Sequence, residues 1–539
     1  SCQGTKLTIP NIHAAITSIY KREHLNVLDT RNDVIGLAAD LLSDESRVSG
    51  GIPEKIFFPE STEDLQSVFH DAQKEQSQIR LTGNHTGTTA GCVPDDHEWQ
   101  ISFNRMNKII SCEKHSDGML LLTCQPGISL ESLNRILDNP SQLPNTFPGK
   151  ELLSEKCYCY VPDPTEMHAQ LGATVATNAS GARSFRFGPT RNSIFGLTAI
   201  TPQGDCIILQ NNTRINPSEG FSFTGGLTRT ISIPPIHFRT PDIKCSAGFY
   251  CKEAMRPMDL LIGSEGLLCA FASITVLLQP KKNILAGCSF FSSLESVLEF
   301  VTFLKNEPQV LSIELFDKSS IHFIRQYYRQ FPGSLPEFPA GTDRAILWEF
   351  SDQDPDPFDA VFDRWEKNLT ASGSSFDSTW SGFENSEKDK LKKFRHALPD
   401  AVNQTITQYK QQHNQIRKIG TDTALPEHSF QTVYTEYLRI IDDARLQYVS
   451  FGHAGNNHMH INLMPSCNTE YERALDVYDQ LMQVTIDAKG TVSAEHGIGK
   501  IKKKYCAAMY GEKAIDEMRL IKSSFDPYWI LNKGVMIDK

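Results

Sequence analysis

Apolar residues recur with strand-like and helix-like spacing from about residue 55 onward. Ile56-Phe57-Phe58-Pro59 is a short apolar run that predicts a strand. Glu60-Ser61-Thr62-Glu63-Asp64 then offers a capping hydroxyl with acids behind it, which predicts a helix start. The apolar residues from Leu65 to Glu75 share one helical face, and Ile79-Arg80-Leu81 predicts the next strand. This order of elements indicates an α/β or α+β domain.

The same patterns divide the rest of the chain. Short strands and glycine turns continue to about residue 280, where Pro280-Lys281-Lys282-Asn283 marks a boundary. The apolar run Leu267–Leu278 spans 12 residues, too few to cross a bilayer, and predicts a buried strand. We predict a polar, mostly helical N-terminal extension over 1–54, a domain over 55–280, a second domain over 281–490 and a C-terminal segment over 491–539.

Composition and charge exclude some classes of function. A chain of 539 residues is long enough for two or three domains, and its net charge of -11 argues against nucleic acid as a partner. The 13 cysteines are scattered without a CxxC pair, which favours a reducing compartment and places any iron–sulfur relay on another subunit. No signal peptide or transmembrane segment is visible, so we expect a cytoplasmic protein, with peripheral membrane contact left open.

Two segments rich in small residues are candidate ligand-binding loops. The segment Thr82–Pro94 follows a predicted strand, and its glycines allow backbone N–H groups to form a nest for a pyrophosphate. It matches neither the Walker loop nor GxGxxG, and an ordinary surface loop is the alternative. The segment Leu171–Gly181 follows Val161-Pro162-Asp163-Pro164, and taken alone it fits a close-packed backbone crossing.

Together with Gly263-Ser264-Glu265-Gly266, these segments resemble the PCMH-type FAD-binding domain of the vanillyl-alcohol-oxidase superfamily. The resemblance implies an α+β fold, with a two-subdomain FAD-binding domain, a mixed or antiparallel substrate (cap) domain and a C-terminal helical segment that returns to the flavin. Some relatives attach FAD covalently through a histidine of this loop; that position is Thr86 here, so we expect non-covalent FAD. The residues implied to bind it are Thr82, Gly83, Asn84, His85, Thr86, Gly87, Thr88, Thr89, Pro162, Asp163, Gly172, Ala173, Ala176, Thr177, Asn178, Gly181, Gly188, Glu265, Gly266 and Asn532.

A candidate metal-binding hairpin lies between Tyr448 and Leu463. A strand, a tight turn and a second strand are predicted, with His458, His460 and Asn462 alternating with apolar residues. The polar side chains therefore share one face, and His453 lies near that face if the turn centres on Gly455-Asn456. Imidazoles that converge in this way suit borderline divalent ions such as Zn or Fe.

The adjacent pair Glu495-His496 completes the candidate site. It lies in Gly490–Lys500, beside a glycine turn. Neighbouring side chains on an extended segment point to opposite sides, so one can complete a His-His-Glu metal site while the other faces a substrate. The alternative is that these histidines only satisfy backbone carbonyls.

These motifs are similar to GHxGxxHxHxN and SAEHGIGK of the D-lactate, D-2-hydroxyglutarate and glycolate dehydrogenase branch. The resemblance implies His453, His460 and Glu495 as metal ligands, His496 as the catalytic base, and Arg395 and Asn462 as substrate contacts. The family turn reads GDGN where this chain has Gly455-Asn456-Asn457-His458, so His458 is a candidate further ligand. The expected ion is Zn, Fe or Mn.

The expected reaction is metal-assisted oxidation of a small D-2-hydroxy acid, lactate-, glycolate- or 2-hydroxyglutarate-like, to the 2-oxo acid. His496 would take the hydroxyl proton, and hydride would pass to flavin N5. A quinone, an electron-transfer flavoprotein or an iron–sulfur subunit would then accept the electrons, and a homodimer is an allowed assembly. The alternatives are a flavin transferase similar to alkyl-glycerone-phosphate synthase and a non-catalytic flavin subunit of a larger electron-transfer complex.

Overall fold

Helices and strands alternate through the described residues, which are 20–22, 25–29, 39–331, 335, 337–351, 358–382 and 385–539 of a computed structural model. The helices are α1 Thr62–Glu75, α2 Leu130–Asp138, α3 Lys150–Glu155, α4 Leu171–Thr177, α5 Ser184–Phe187, α6 Leu294–Asn306, α7 Lys318–Tyr328, α8 Phe358–Ala371, α9 Asn385–Lys410, α10 Phe430–Asp443, α11 Asn468–Asp487, α12 Lys503–Tyr510 and α13 Glu512–Phe525. Among these, no helix is both long and apolar enough to cross a membrane.

The strands form three larger sheets and one separate hairpin among the described residues. They are β1 Tyr20–Arg22, β2 Leu25–Leu28, β3 Lys55–Phe58, β4 Ile79–Thr82, β5 Trp99–Ser102, β6 Ile109–Lys114, β7 Leu120–Cys124, β8 Tyr158–Cys159, β9 Ile194–Ile200, β10 Cys206–Gln210, β11 Phe221–Phe223, β12 Ile231–Ile233, β13 Ala270–Pro280, β14 Ile284–Phe291, β15 Val310–Phe316, β16 Arg344–Ser351, β17 Trp380–Gly382, β18 Ile419–Gly420, β19 Thr423–Ala424, β20 Tyr448–His453 and β21 His458–Leu463.

The first sheet contains the predicted strand–helix–strand unit. Its order is β1-β2-β3-β5-β4, and β5 runs parallel to both β3 and β4. Ser61 and Asp64 form a capping box at the start of α1, as the sequence predicts. The helix buries the apolar face that its spacing predicts, formed by Leu65, Val68, Phe69 and Ala72.

The described part of the N-terminal extension is not helical, and that prediction is wrong there. Tyr20–Arg22 and Leu25–Leu28 pair with each other, and Leu25–Leu28 also pairs antiparallel with β3. The open edge of β3 offers backbone hydrogen bonds, and Val27 and Leu28 become buried against it, which outweighs local helix propensity. Ala39–Leu41 adds one 3-10 turn, and the other residues of the extension before residue 39 lie outside the described residues.

The second sheet has the order β10-β9-β13-β7-β6, and its pairs are antiparallel. Its central strand β13 begins at Ala270 and contains most of the apolar run predicted as a buried strand. The next strand, β14, begins at Ile284 and belongs to a different sheet. The chain therefore passes from one sheet to another across residues 281–283.

The third sheet has the order β17-β14-β16-β15-β20-β21-β18, with β19 also paired to β21. Its pairs are antiparallel. The predicted metal hairpin is the pair β20–β21, with His453 opposite His458. The predicted α+β fold is confirmed.

The C-terminal segment returns to the first sheet and is held there by two buried cations. Leu531 forms a parallel bridge with Ile79 at β4. Arg80 donates to Glu98 at 2.9 Å and to the Lys533 carbonyl at 2.8 Å. On α13, Lys522 donates to Asp526 Oδ2 at 2.6 Å and to the carbonyls of Leu267 and Leu531. These charges fix residues 526–534 against the N-terminal half.

We expect Lys522→Met to weaken this attachment strongly. The substitution leaves Asp526 buried without its cation and two carbonyls without a donor, a loss of about 3–5 kcal/mol. The midpoint of chemical unfolding should fall accordingly. Lys513→Met, on the exposed side of the same helix, is the control and should change stability by less than about 0.5 kcal/mol. Equal midpoints for the two variants would contradict the role given to Lys522.

Candidate active site

The loop after β4 presents a row of unpaired backbone N–H groups. The amides of residues 83–89 donate no backbone hydrogen bond to another described residue. His85 and Ala90 have positive φ values of 56° and 59°, a conformation that lets successive N–H groups turn toward one side. Such a nest suits the oxygens of a pyrophosphate.

The second glycine-rich segment packs directly against this loop. Gln170, which precedes α4, donates from Nε2 to Asn84 Oδ1 at 3.0 Å. A Cβ placed on Gly83 would lie 3.0 Å from the Cβ of Ala173, so the two backbones approach closely. The two segments that the sequence singles out as flavin contacts therefore lie side by side.

The Gly263–Gly266 turn joins this region to the C-terminal loops. The Glu265 amide donates to the Ala176 carbonyl at 2.8 Å, and its carboxylate accepts the amides of Ile498 and Gly499, each at 2.7 Å. Asn532 Nδ2 donates to the Glu265 carbonyl at 2.7 Å. Glu265 and Asn532 therefore connect α4, residues 498–499 and the C-terminal loop through hydrogen bonds.

The remaining residues predicted to bind FAD border the same region. A Cβ on Gly181 would lie 2.0 Å from the Asp163 carbonyl oxygen, so only glycine fits there. Asn178 ends α4 in the left-handed conformation, and Gly188 ends α5 with a φ of 75°. Of the others, Thr82 ends β4, and the loop that follows contains Thr86, Gly87, Thr88 and Thr89. Gly172 and Thr177 belong to α4, Pro162 precedes Asp163, and Gly266 follows Glu265.

Three imidazoles and one carboxylate converge beyond this region. His453 Nε2 lies 3.2 Å from Glu495 Oε1, and His460 Nε2 lies 3.6 Å from Glu495 Oε2. His458 Nδ1 lies 3.9 Å from Glu495 Oε1. One donor atom from each of the four residues lies within 4.8 Å of the others, close enough to surround a single ion.

The opposite nitrogen of each imidazole faces an acceptor outside the cluster. These acceptors are Glu314 Oε1 at 2.8 Å from His453 Nδ1, Asp422 Oδ1 at 3.2 Å from His458 Nε2, and the Thr421 carbonyl at 3.3 Å from His460 Nδ1. Histidines that bind metals usually donate their other N–H to such an acceptor, which fixes the ring and its tautomer. The inward nitrogens are thereby oriented as lone-pair donors.

Burial and charge set the protonation of the cluster. Burial, helped by neighbouring His460, lowers the pKa of His458 well below its usual value. Burial alone would raise the pKa of Glu495, but the Lys244 ammonium and His453 outweigh it and hold the pKa well below the usual value. A neutral imidazole and an ionised carboxylate are the forms that coordinate metals.

His496 lies beside this cluster on its more open side. Its side chain is 38% exposed, whereas that of His453 is 6% exposed. Its Nδ1 lies 3.4 Å from Asp422 Oδ2, and its backbone amide donates to the same oxygen at 3.0 Å. Burial lowers the pKa of His496, and the neighbouring Asp422 carboxylate opposes this shift. One donor atom from each of Asp422, Glu495 and His496 lies within 4.8 Å of the others, so Glu495 and His496 adjoin each other rather than facing opposite sides.

Asp422 organises the loop that carries this pair. Its Oδ1 accepts the Glu495 amide at 3.1 Å, and its Oδ2 accepts the Ser493 hydroxyl at 2.8 Å and Lys502 Nζ at 2.9 Å. Burial would raise the pKa of Asp422, but His496 and Lys502 lower it well below the usual value. The carboxylate is therefore a fixed anchor for residues 493–496.

Lys244 is a buried cation within the same cluster. Its side chain is 4% exposed, and its ammonium contacts Glu495 Oε1 and, at 3.3 Å, the Gly181 carbonyl. Ser180 Oγ also donates to Glu495 Oε1 at 3.3 Å. The carboxylate predicted to bind a metal thus adjoins the segment predicted to contact the flavin.

Arg395 belongs to a charged network next to the histidines. It binds Glu314, which also contacts His453. Burial alone would raise the pKa of Glu314, but Arg395 and His453 outweigh it and lower the pKa to about 2. Arg183 binds Glu349 nearby through two bonds of 2.8 and 2.9 Å. The other predicted substrate contact, Asn462, is buried on the face of β21 that carries His460.

Three buried charged residues of the site were not identified from the sequence. Glu314 lies in a buried strand whose only other polar residue is Ser312, which could have indicated a functional carboxylate. Lys244 precedes a run of small and apolar residues, and Asp422 stands between two threonines in a segment noted only for its resemblance. In each case the sequence gives the residue but not its partner.

Two family models match the chain, and several curated proteins resemble it over most of its length. The family description "FAD binding domain" matches residues 53–150, and "FAD linked oxidases, C-terminal domain" matches residues 279–536. A D-lactate dehydrogenase of Anaerostipes hadrus is 23% identical over 506 residues, 92% of each chain. The glycolate oxidase subunit GlcD of Bacillus subtilis is 24% identical over 504 residues, 90% of each chain.

Two further similarities concern sequence and fold. A D-2-hydroxyglutarate dehydrogenase of Xanthomonas citri pv. viticola is 23% identical, covering 90% of this chain and 89% of that protein. A solved structure of alkyldihydroxyacetonephosphate synthase covers 98% of this chain and 86% of that one, with a TM-score of 0.62 and 13% identity, a likeness of fold. The predicted family is confirmed: with both of its domains matched, the chain belongs to the FAD-linked oxidases and is a flavin-dependent oxidoreductase.

Proposed function

We propose that this enzyme oxidises a small D-2-hydroxy acid to the 2-oxo acid with the help of a divalent cation. The observation that carries the proposal is the meeting of His453, His460 and Glu495 beside His496, next to the segment that ends at Gly181. Relatives that cover about nine tenths of the chain are named as dehydrogenases or oxidases of such acids, which supports the substrate class. The side chain of the substrate stays open among lactate-, glycolate- and 2-hydroxyglutarate-like acids.

The residues present fit a divalent cation. His453, His460 and Glu495 would hold it, because their donor atoms converge and their outer atoms are already oriented. Two nitrogens and a carboxylate oxygen suit Zn, Fe or Mn. When bound, FAD supplies the two-electron chemistry, and the cation supplies charge that lowers the pKa of a nearby hydroxyl.

His496 is the residue best placed to take the hydroxyl proton. It is the most exposed imidazole of the cluster, and Asp422 lies 3.4 Å from its Nδ1 and accepts its backbone amide. Removal of that proton leaves the carbon hydrogen and its electron pair to depart together. General-base assistance of this kind contributes about 10²- to 10⁴-fold.

Arg395 and Asn462 would hold the substrate carboxylate. A guanidinium has five N–H donors, and Glu314 engages Nε and one terminal nitrogen of Arg395. The donors that remain can bind a second carboxylate beside Glu314. Reoxidation would fall to a quinone, an electron-transfer flavoprotein or an iron–sulfur subunit.

The residues at positions 494–496 distinguish the proposed dehydrogenase from a flavin transferase similar to alkyl-glycerone-phosphate synthase. In the resemblance drawn from sequence, such transferases carry three consecutive histidines where this chain has Ala494-Glu495-His496. A carboxylate there supplies the anionic ligand that a hydroxy-acid dehydrogenase needs, so the dehydrogenase is favoured. A non-catalytic flavin subunit would have no need of the oriented base.

The first test is anaerobic bleaching of the flavin by a panel of D-2-hydroxy acids, with and without a chelator. We expect at least one D-acid to reduce the flavin rapidly, its L-enantiomer to be inactive, and chelation to abolish the rate until a divalent ion is restored. Stopped-flow absorbance measures the reduction. Reduction that is indifferent to complete metal removal would contradict the metal-assisted reaction.

The second test is His496→Ala. We expect the rate of flavin reduction to fall about 10²- to 10⁴-fold while bound FAD and metal are retained, because the ring contributes the base and not a ligand. His428→Ala is the control, because His428 lies in the turn Glu427–Ser429, which has no buried residue. The flavin of this variant should be reduced at the wild-type rate. Full turnover by a flavin-loaded His496→Ala enzyme would show another group to be the base.

The third test concerns the internal cation. Lys244→Met leaves Glu495 buried without its ammonium, which should cost about 3–5 kcal/mol in metal-free protein. A divalent ion would replace the lost charge, so excess Zn²⁺ should raise the unfolding midpoint of this variant more than that of wild type. Lys252→Met removes a more exposed ion pair and is the control. An identical zinc response in both variants would contradict the expectation that a divalent ion replaces the Lys244 charge at Glu495.

A further inference from the structure

Position 458 distinguishes the metal hairpin of this chain from the pattern that it otherwise resembles. The family turn GDGN ends in asparagine where this chain has His458. His458 begins β21 directly opposite His453, and its ring centroid lies 5.3 Å from that of His453 and 4.4 Å from that of His460. The substitution therefore adds an imidazole to the centre of the cluster.

The His458 ring has no role that hydrogen bonding alone explains. Its side chain is fully buried, and neither ring nitrogen makes a hydrogen bond of good geometry to another described residue. Nε2 is still 3.2 Å from Asp422 Oδ1, whereas Nδ1 faces Glu495 Oε1 across 3.9 Å. A neutral imidazole donates one N–H, so with that proton directed to Asp422 the lone pair of Nδ1 points at Glu495.

A lone pair facing a carboxylate is repulsive unless a cation lies between them, and the Lys244 ammonium that contacts Glu495 Oε1 makes no hydrogen bond to His458 Nδ1. Leaving a buried nitrogen unsatisfied costs about 1–3 kcal/mol. The gap of 3.9 Å between Nδ1 and Glu495 Oε1 is about twice a metal–nitrogen or metal–oxygen bond of roughly 2.0–2.2 Å. The other inward nitrogens lie 3.2 and 3.6 Å from the carboxylate, close to the roughly 3.4 Å that separates two ligands of a tetrahedral ion with bonds of that length.

We infer that His458 is a fourth protein ligand, which completes a His453, His458, His460 and Glu495 site rather than a site of three ligands. This inference rests on the metal-assisted function proposed above and deepens it. Each of the three imidazoles has an acceptor at its outer nitrogen: Glu314 for His453, Asp422 for His458 and the Thr421 carbonyl for His460.

A fourth protein ligand has two consequences. The ion should be held more tightly than in a three-ligand site, and its four tetrahedral positions are all taken by protein. A substrate oxygen can then bind only by expanding the coordination to five or more, which zinc does in transition states and iron and manganese do readily. The chain would thus favour an ion of flexible coordination number.

The test compares wild type with His458→Asn, which restores the residue of the family turn. Both proteins are stripped of metal with flavin retained, and zinc affinity is measured by competition with a chromophoric chelator. We expect His458→Asn to bind zinc at least about 10-fold more weakly. Asn456→Ala, in the same turn, is the control and should keep wild-type affinity. Equal affinity of His458→Asn and wild type would overturn the inference and leave the proposed function standing.

A second measurement does not depend on a variant. X-ray absorption at the zinc edge of the loaded wild-type enzyme counts imidazole ligands, and we expect three. A count of two overturns the inference even if His458→Asn fails to fold. Wild type that binds no divalent ion at micromolar concentration, with flavin in place, would overturn the metal-assisted function as well as the ligand set.

Discussion

The buried carboxylate of Glu495 is the constraint around which this site is built. An ionised group so far from water is stable only when opposite charge and hydrogen bonds surround it. Here the partners are the Lys244 ammonium, the Ser180 hydroxyl and the imidazoles of the β20–β21 hairpin. They come from the N-terminal half and from the third sheet, so neutralising one charge brings both halves of the chain together.

Two further carboxylates fix the backbone on either side of Glu495. Asp422, from the third sheet, accepts the amides of residues 495 and 496, and Glu265, from the N-terminal half, accepts those of residues 498 and 499. Residues 495–499 are therefore bound to both halves by charge-assisted hydrogen bonds, which are about twice as strong as neutral ones. A displacement of either half would move His453, His460 and Glu495 relative to the loop after β4, so the geometry of the proposed site depends on these hydrogen bonds.

Local periodicity explains what could be predicted from sequence. Side chains on a strand alternate, so the shared face of His458, His460 and Asn462 follows from spacing. Partners remote in sequence do not follow from spacing. Nothing near Lys244 indicates that its ammonium reaches Glu495, and Glu314 reads as one polar residue in a strand until His453 is placed beside it. The strands at residues 20–28 were missed because an edge strand is stabilised by the sheet it joins rather than by its own residues.

Glu314 links the two jobs of the proposed active site. One of its oxygens lies 2.8 Å from His453 Nδ1, and the carboxylate is also the partner of Arg395. A substrate carboxylate that draws N–H donors of Arg395 toward itself leaves more negative charge on Glu314 for the His453 N–H. A stronger acceptor there makes the opposite nitrogen of His453 a better metal donor. In the proposed function, binding of the acid group would therefore be coupled to the strength of the metal site through the one buried carboxylate of Glu314.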